Sequence, residues 1–384
     1  MSRYPLSSPR SLHPDAIEAA VTSLRSGRFT MGETVERFEA AVAAYVGSPH
    51  AVMVNSGSSA NLLAIEAMVR PSLGKGWPKG ADVLVPALSW PTTVWPIVQL
   101  GLTPVFVDAD PCTLAMDLDK ADALLSDRTV GVVLIHVLGR AANLSAVRSW
   151  CAMRGLTLLE DCCESFGSRW EGRHVGTVGK IGTFSHYFSH QLTTIEGGTV
   201  VTADAEVAND LRSMRSHGWT RQRTDRLDWE SQSPIDRRFF FVSSGYNVRP
   251  LELQAAIGLE QLHYLDALLA EKRLVTAAVR AQLPDWLSII GDGPQTAWMN
   301  IPLLIREGGP SKARVVDACE SHGIETRPII AGNLLAHPVM YRHWPGRASS
   351  TGYPVADRVM RDGFMIGCHG DADVDAVSEA CRAV

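Results

Sequence analysis

Along the first two thirds of the chain, short apolar runs alternate with longer stretches whose apolar residues recur at helical spacing. Residues 50–55 (HAVMVN), 82–87 (DVLVPA), 103–110 (TPVFVDAD), 130–139 (VGVVLIHVLG), 156–163 (LTLLEDCC) and 197–204 (GGTVVTAD) read as strands. Residues 60–69 (ANLLAIEAMV) and 92–101 (TTVWPIVQLG) read as helices between the first of them. Strands that alternate with helices predict an α/β fold, a mainly parallel sheet covered on both faces. The pattern changes after Pro250: 251–283 is a long helical stretch, 287–290 and 299–305 are strand-like, and 311–323 and 373–384 are helical. The chain therefore divides into a large domain, 1–250, and a smaller α/β C-terminal domain, 251–384. The polar, charged segment 219–240 reads as an excursion or ordered loop, and no internal repeat stands out.

Composition narrows the function. A chain of 384 residues, 46% hydrophobic, buries a sizeable core. A net charge of −5 with no Lys/Arg run argues against nucleic acid as a partner. No apolar run of about eighteen residues suggests a membrane span, and no secretory signal is apparent, so a cytoplasmic location is expected. The seven cysteines are scattered with no C-x-x-C pair, which reads as free thiols and no metal site.

Four short stretches carry candidate chemistry. In NSGSSAN (55–61), between a strand and a helix, Gly57 lets backbone N–H groups approach a ligand, and Ser58 and Ser59 offer hydroxyls at the positive end of the helix. That is how a phosphate is held, although an ordinary Ser-capped helix start has the same residues. Trp90, in LSWPTT (88–93), follows a strand at the sheet edge where α/β folds place ligands. It suits stacking on a flat ring, or a place in the core. In LLEDCCES (158–165), Glu160 and Asp161 end a strand, where a carboxylate can pair with a cationic ring nitrogen or cap the next helix. The most specific stretch is FSHYFSHQLTTIEGGTVVT (184–202), with Ser185, His190 and EGG (196–198) in fixed order before a strand. SGYNVRPLELQAAIGLEQL (244–262) follows it.

Together with SGRFTMGETVERFEAAVAAYVG (26–47), these motifs resemble the DegT/DnrJ/StrS family of pyridoxal-phosphate sugar aminotransferases, and the resemblance covers nearly the whole chain. It implies the fold type I architecture of aspartate aminotransferase. It also implies that Gly57, Ser58 and Ser185 hold the cofactor phosphate, that Trp90 stacks on the pyridine ring, and that Asp161 keeps the ring nitrogen protonated. Asn247 would reach the cofactor phosphate of a neighbouring subunit, which implies a homodimer with composite active sites.

One position departs from that pattern. Most family members have a lysine, bonded covalently to the cofactor, where this chain has His190. The six lysines are Lys75, Lys79, Lys120, Lys180, Lys272 and Lys312. Lys180 precedes the strand bearing Ser185 and is expected at the opposite end from the site; none of the others falls in a recognised active-site motif. The resemblance then narrows to the subgroup with this same exchange, the 3-dehydratases of nucleotide-linked 4-keto-6-deoxy sugars, in its form without an iron–sulfur cluster. It implies pyridoxal or pyridoxamine phosphate bound without a covalent link, glutamate as amino donor, and His190 as proton shuttle. An imidazole near pKa 6.5 exchanges protons at neutral pH better than a lysine near 10.4. Glu164 is a further candidate for contact with the cofactor or for tuning proton transfer. His217, Arg249, Glu325 and Arg327 are candidates for substrate or donor binding, with surface or structural roles as the plainer alternative. Two rival functions remain: a sugar aminotransferase that works without a lysine, and a non-catalytic relative that binds cofactor or sugar.

Overall fold

A computed structural model describes residues 2–231, 234–291, 293, 295–343 and 352–384. The strands are β1 His50–Val54, β2 Asp82–Pro86, β3 Thr103–Val107, β4 Thr129–Ile135, β5 Thr157–Asp161, β6 Arg169–Trp170, β7 Arg173–His174, β8 Ile181–Ser185, β9 Gly198–Thr202, β10 Leu287–Ile289, β11 Ile301–Ile305 and β12 Gly363–Ile366. The helices are α1 Pro14–Arg25, α2 Glu33–Val46, α3 Gly57–Val69, α4 Pro91–Gln99, α5 Leu118–Ala123, α6 Leu144–Met153, α7 Ala205–Met214, α8 Arg226–Glu230, α9 Glu252–Gln282, α10 Lys312–Ser321, α11 Pro338–His343, α12 Pro354–Asp362 and α13 Asp375–Arg382.

Seven strands form one sheet in the order β1-β9-β8-β5-β4-β2-β3. β9 runs against both its neighbours and the remaining strands are parallel, as the alternating pattern predicts. The central strands β2 and β8 are buried along their whole length, and β4 and β5 over all but their first residues, which is why their sequences read as near-continuous apolar runs. The parallel arrangement brings the C-terminal ends of β1, β2, β5 and β8 to one edge of the sheet, with Asn55–Gly57, Trp90, Asp161 and Ser185 on it.

A second, antiparallel sheet, β10-β11-β12, is packed by α12, and α10 packs against α13. The first residues of the chain join this unit: Tyr4 is fully buried, its hydroxyl donates to the Gly367 carbonyl at 3.0 Å, and its backbone bridges to Ile324. α9 lies along α1 and α2 and also touches α13. The two units are pinned by Asp108, after β3, whose carboxylate accepts from the first backbone N–H groups of α12, Val355 at 3.1 Å and Ala356 at 3.0 Å.

Two expected boundaries shift for local reasons. α3 begins at Gly57 rather than residue 60, because the Ser56 side chain caps the Ser59 N–H at 3.1 Å. The run 130–139 is strand only to Ile135; beyond it His136 turns into the core to meet Glu160, and Leu138 sits at φ 51°, which no strand admits. The segment 219–240 is ordered where described, with α8 and a short 3-10 turn at Arg237–Phe239.

Candidate active site

β5 ends in two adjacent carboxylates that point to opposite faces, as successive strand residues must. Glu160 faces the interior and is saturated: its oxygens accept from His136 Nε2 at 3.0 Å and from the backbone N–H groups of Gly176, Val178 and Gly179 at 2.6–2.9 Å. His136 Nδ1 accepts from the Ala142 N–H at 3.1 Å, so Nε2 carries the proton and the ring is neutral. His136, Glu160 and Cys162 present ligand atoms within 4.8 Å of one another, but a metal there would have to displace this full set of hydrogen bonds. Glu160 is thus structural, tying down the 173–179 loop.

Asp161 faces the sheet edge. Its Oδ2 accepts from Asn61 Nδ2 at 2.8 Å and Thr93 Oγ1 at 2.7 Å, and its Oδ1 accepts from the Cys163 N–H at 3.0 Å. A carboxylate has about four acceptor sites, so one on Oδ1 is left open. Asn61 is fixed in turn by Thr183 Oγ1, which donates to its Oδ1 at 2.6 Å. Thr183 and Ser185 alternate along β8 and so share a face. Sequence reasoning missed Asn61, Thr93 and Thr183. The signals were there: Asn61 is the one amide in α3, directly before the apolar run Leu62–Ile65, and Thr93 follows Trp90 by about one helical turn.

Trp90 is the N-cap residue of α4, three positions before Thr93, and is 52% exposed. Asn333 bridges to Leu88 beside it, and the Leu334 N–H donates to the Ala87 carbonyl at 3.0 Å, so the C-terminal unit closes over this strand end. Gly57 opens α3 directly against Ser185: a Cβ added there would lie 2.5 Å from Ser185 Cβ and 3.0 Å from both Ser185 Oγ and Cys163 Sγ. Only glycine permits this approach. Gly198 serves the same contact from β9, since a side chain there would collide with the Ser56 carbonyl. Ser58 is exposed on the first turn of α3. The Ser185 hydroxyl accepts from the Tyr187 N–H at 3.3 Å, which leaves its own proton to donate.

His190 stands on the turn after β8, its N–H bonded to the Tyr187 carbonyl at 3.0 Å and its ring edge-on to Tyr187. The next residue locks the turn: Gln191 Nε2 donates to the carbonyls of Glu164 and Ala297, both at 2.6 Å. Nδ1 of His190 is sealed and has no partner, whereas Nε2 is the ring nitrogen left open. Burial, with a smaller effect from the Lys272 ammonium, holds the imidazole down to about 4. That burial disfavours the imidazolium, so His190 is neutral at pH 7.

Glu164 is half-buried, its Oε2 accepting from the N–H of the strained Leu138 at 2.8 Å. Burial pushes its carboxyl up to about 7 against the lowering effect of that bond and with help from the Asp161 charge.

The lysines are accounted for. Lys272 is buried and donates to the carbonyls of Met299 at 3.1 Å and Cys368 at 2.6 Å. Lys180 pairs with Asp204 at 2.9 Å at the start of β8, the far end from the site. Lys120 pairs with Asp108, Lys312 donates to the Met360 carbonyl, and Lys75 and Lys79 are exposed.

The remaining candidates are spread more widely. Asn247 is exposed, bridges to Ser216, and accepts at Oδ1 from Arg249 Nε at 2.9 Å. That bond turns the Asn247 NH2 outward as a donor. His217, beside it, is exposed at φ 66°. Glu325 and Arg327 lie in the C-terminal unit. Glu325 accepts from the Leu6 N–H at 3.0 Å, and Arg327 exchanges both backbone hydrogen bonds with Met365. Among the described residues, neither hydrogen-bonds to Asp161, Ser185 or His190. Glu325 thereby ties down the N-terminal segment.

An open acceptor on Asp161, a half-exposed indole and a glycine-backed phosphate cradle suit a flat, cationic, phosphorylated heterocycle such as pyridoxal phosphate. The comparisons agree. A GDP-4-keto-6-deoxy-D-mannose 3-dehydratase of Yersinia pseudotuberculosis is 36% identical over 376 residues, 96% of this chain and 95% of that one. A solved GDP-4-keto-6-deoxymannose-3-dehydratase with a trapped PLP-glutamate geminal diamine superposes with a TM-score of 0.87 at 32% identity, covering 99% of each chain. A variant of such an enzyme with a histidine replaced by asparagine and GDP-perosamine bound superposes at 0.90, at 33% identity, covering 98% of this chain and all of that one. The model of the DegT/DnrJ/EryC1/StrS aminotransferase family matches residues 11–384, and the chain belongs to that family.

Proposed function

We propose that this protein is a pyridoxal- and pyridoxamine-phosphate-dependent dehydratase that removes the C3 hydroxyl of a nucleotide-linked 4-keto-6-deoxy sugar, with glutamate as amino donor. The observation that carries the reading is at position 190: a neutral imidazole with an open Nε2, in a chain whose six lysines are all engaged elsewhere or exposed. The relatives' names support the substrate class and the donor.

When bound, the cofactor supplies an amine and an electron-accepting ring. The chain's residues then have distinct tasks. Asp161 holds a positive charge at the ring nitrogen by a charge-assisted hydrogen bond at its open Oδ1 site. Trp90 covers one ring face, and Gly57, Ser58 and Ser185 bind the phosphate. His190 accepts a proton at Nε2 and delivers one to the departing C3 oxygen. Glu164 sets the charge beside that exchange. His217 and Arg249 are assigned to substrate, as are Glu325 and Arg327 in a closed or assembled state. In a homodimer, the outward Asn247 amide of one subunit donates to the cofactor phosphate of the other. The division at residue 250 and a cytoplasmic location belong to the same reading; no helix among the described residues is long and apolar enough to cross a membrane.

The test is product analysis with cofactor, L-glutamate and a panel of nucleotide-linked 4-keto-6-deoxy sugars. The expected product lacks one oxygen atom relative to its substrate, with one ammonia and one 2-oxoglutarate formed per turnover. An amino sugar that keeps its C3 hydroxyl would replace this reading with amination.

A further inference from the structure

Trp90 follows β2 closely and is 52% exposed, so its own packing does little to fix the indole. Its aim is set by the backbone that delivers it, Ala87, Leu88 and Ser89, all three fully buried. That segment is held from two sides. The Ala87 N–H donates to the Val107 carbonyl of β3 at 2.8 Å, and the Ala87 carbonyl accepts from the Leu334 N–H of the C-terminal unit at 3.0 Å. Leu88 pairs with Asn333 in an antiparallel bridge.

Asn333, fully buried, adds a side-chain arm. Its Oδ1 accepts from the Leu335 N–H at 3.0 Å and caps the short 3-10 turn Leu334–Ala336, while its Nδ2 donates to Asp357 Oδ1 at 2.7 Å. A serine or aspartate oxygen would cap the turn as well, but an amide also offers a donor to a carboxylate. Asp357 lies on α12, whose first N–H groups are those held by Asp108 after β3. The contacts therefore close a circuit: β3, Asp108, α12, Asp357, Asn333, Leu88, and back to β3 through Ala87. Within it the chain folds tightly. Ile330 sits at φ 47° and Gly332 at φ 66°, and a Cβ on Gly332 would press 2.8 Å from Met360 Cγ of α12. A buried circuit that spans both units exceeds what capping one turn requires, and what it delivers to the sheet edge is the Trp90 indole.

Resting on the reading that Trp90 covers the cofactor ring, we propose that Asn333, through Asp357, is a positioning residue for the reaction. It holds the chain after β2 so that the indole is already set against the ring face when the cofactor arrives, and no binding energy is spent on ordering it.

The test titrates the full-length enzyme with pyridoxal 5′-phosphate by absorbance and reads the asymmetric surroundings of the bound ring by visible circular dichroism. Asn333→Ser keeps an oxygen for the Leu335 N–H and removes only the arm to Asp357, which is half-buried and turns to water, so this variant folds. Asn333→Asp sets two carboxylates against each other. Combining Asn333→Asp with Asp357→Asn restores the bond with donor and acceptor reversed. Each single change at Asn333 should weaken the cofactor about tenfold and diminish its dichroism, and the exchanged pair should recover both. In a Trp90→Ala background, Asn333→Ser should add little further loss, because the arm acts through the indole. A merely structural Asn333 would lower the melting temperature and leave the dichroism of the folded, loaded enzyme unmoved. If folded Asn333→Ser matches wild type in affinity and dichroism, or costs as much without the indole as with it, Asn333 does not position Trp90. If Trp90→Ala alone binds the cofactor like wild type, the stacking reading falls and the positioning role with it. None of these measurements needs the sugar: if the variants lose the cofactor as expected but wild-type enzyme dehydrates no nucleotide sugar, the positioning role stands and the dehydratase reading falls.

Discussion

Replacing Asp161 by asparagine separates charge from shape at the centre of the site. The side chain keeps its size, and the network decides how the new amide turns. With its oxygen toward Asn61 and Thr93, the two bonds now made at 2.8 and 2.7 Å survive, and the NH2 meets the Cys163 N–H. The opposite orientation sets the NH2 against Asn61 Nδ2, and Asn61 cannot turn over because its own oxygen is held by Thr183. The first orientation wins, at the cost of one unpaired buried N–H, about 1–3 kcal/mol. At about 2.1 cal/mol/K per residue, 384 residues give about 0.8 kcal/mol/K, so the melting temperature should fall by only about 1–4 °C. The chemical effect is larger. The position facing the ring nitrogen becomes a donor, which disfavours the protonated ring, and turnover should drop at least ~100-fold. Thr93→Val is the control: the carboxylate and its charge remain, and activity should fall far less. Melting curves, cofactor absorbance and product formation from the 4-keto sugar read all three quantities. Asp161→Asn enzyme that turns over near the wild-type rate would refute the charge argument. Asp161→Ala is a poorer probe, because it strands three donors at once.

Gly57→Ala should weaken cofactor binding sharply and cost about 1–3 kcal/mol, because the methyl group would press 2.5 Å from Ser185 Cβ; cofactor titration by absorbance checks it. His190→Asn should retain the cofactor and stop dehydration, whereas His190→Lys should give a borohydride-trappable adduct that peptide mapping finds at position 190; an adduct on any lysine of the wild-type enzyme would contradict non-covalent binding. Glu164, held at about 7 against an ordinary 4.5, favours the fold while protonated, and that advantage fades as pH rises through 7. At 1.36 kcal/mol per pH unit this amounts to about 3 kcal/mol, trimmed by partial exposure to about 1–2, so Glu164→Gln should be stabilising at pH 8.5 and near neutral at pH 5 in denaturant melts. Asn247→Ala should leave a dimer by light scattering but lower cofactor retention.

Much of this architecture was legible because the buried parallel strands must be apolar throughout and must end in polar residues at one sheet edge. Asp161, Trp90 and Ser185 stood out for that reason. What the sequence did not disclose were contacts between residues far apart in the chain. Nothing local says that Asn61 and Thr93 share one carboxylate oxygen 100 and 68 residues away, or that Gln191 grips the Glu164 carbonyl. Alternation along β5 implied that Glu160 and Asp161 face opposite ways, but only the fold reveals that Glu160 serves a loop closed by backbone N–H groups. Glu325 is a like case: its partner, the Leu6 N–H, lies 319 residues away.

The lysine exchange makes sense against this background. A lysine amine is a nucleophile that stays charged in water and needs a partner when buried; Lys272 shows the cost, with two carbonyls committed to it. His190 occupies a turn with a sealed, partnerless Nδ1, a site where a charged side chain is disfavoured and a neutral ring is stable. Burial therefore keeps the imidazole unprotonated at neutral pH, ready to accept a proton at Nε2, and a neutral imidazole does not bind the cofactor covalently. In the proposed reading, the start of α3 at Gly57, the indole of Trp90 and the open acceptor of Asp161 would hold the cofactor in its place. A cofactor retained in this way is free to leave one reaction partner and take up another. That freedom is what a dehydratase needs, with glutamate and sugar taking turns at one amine, and it explains why the cradle is intact although the lysine is gone.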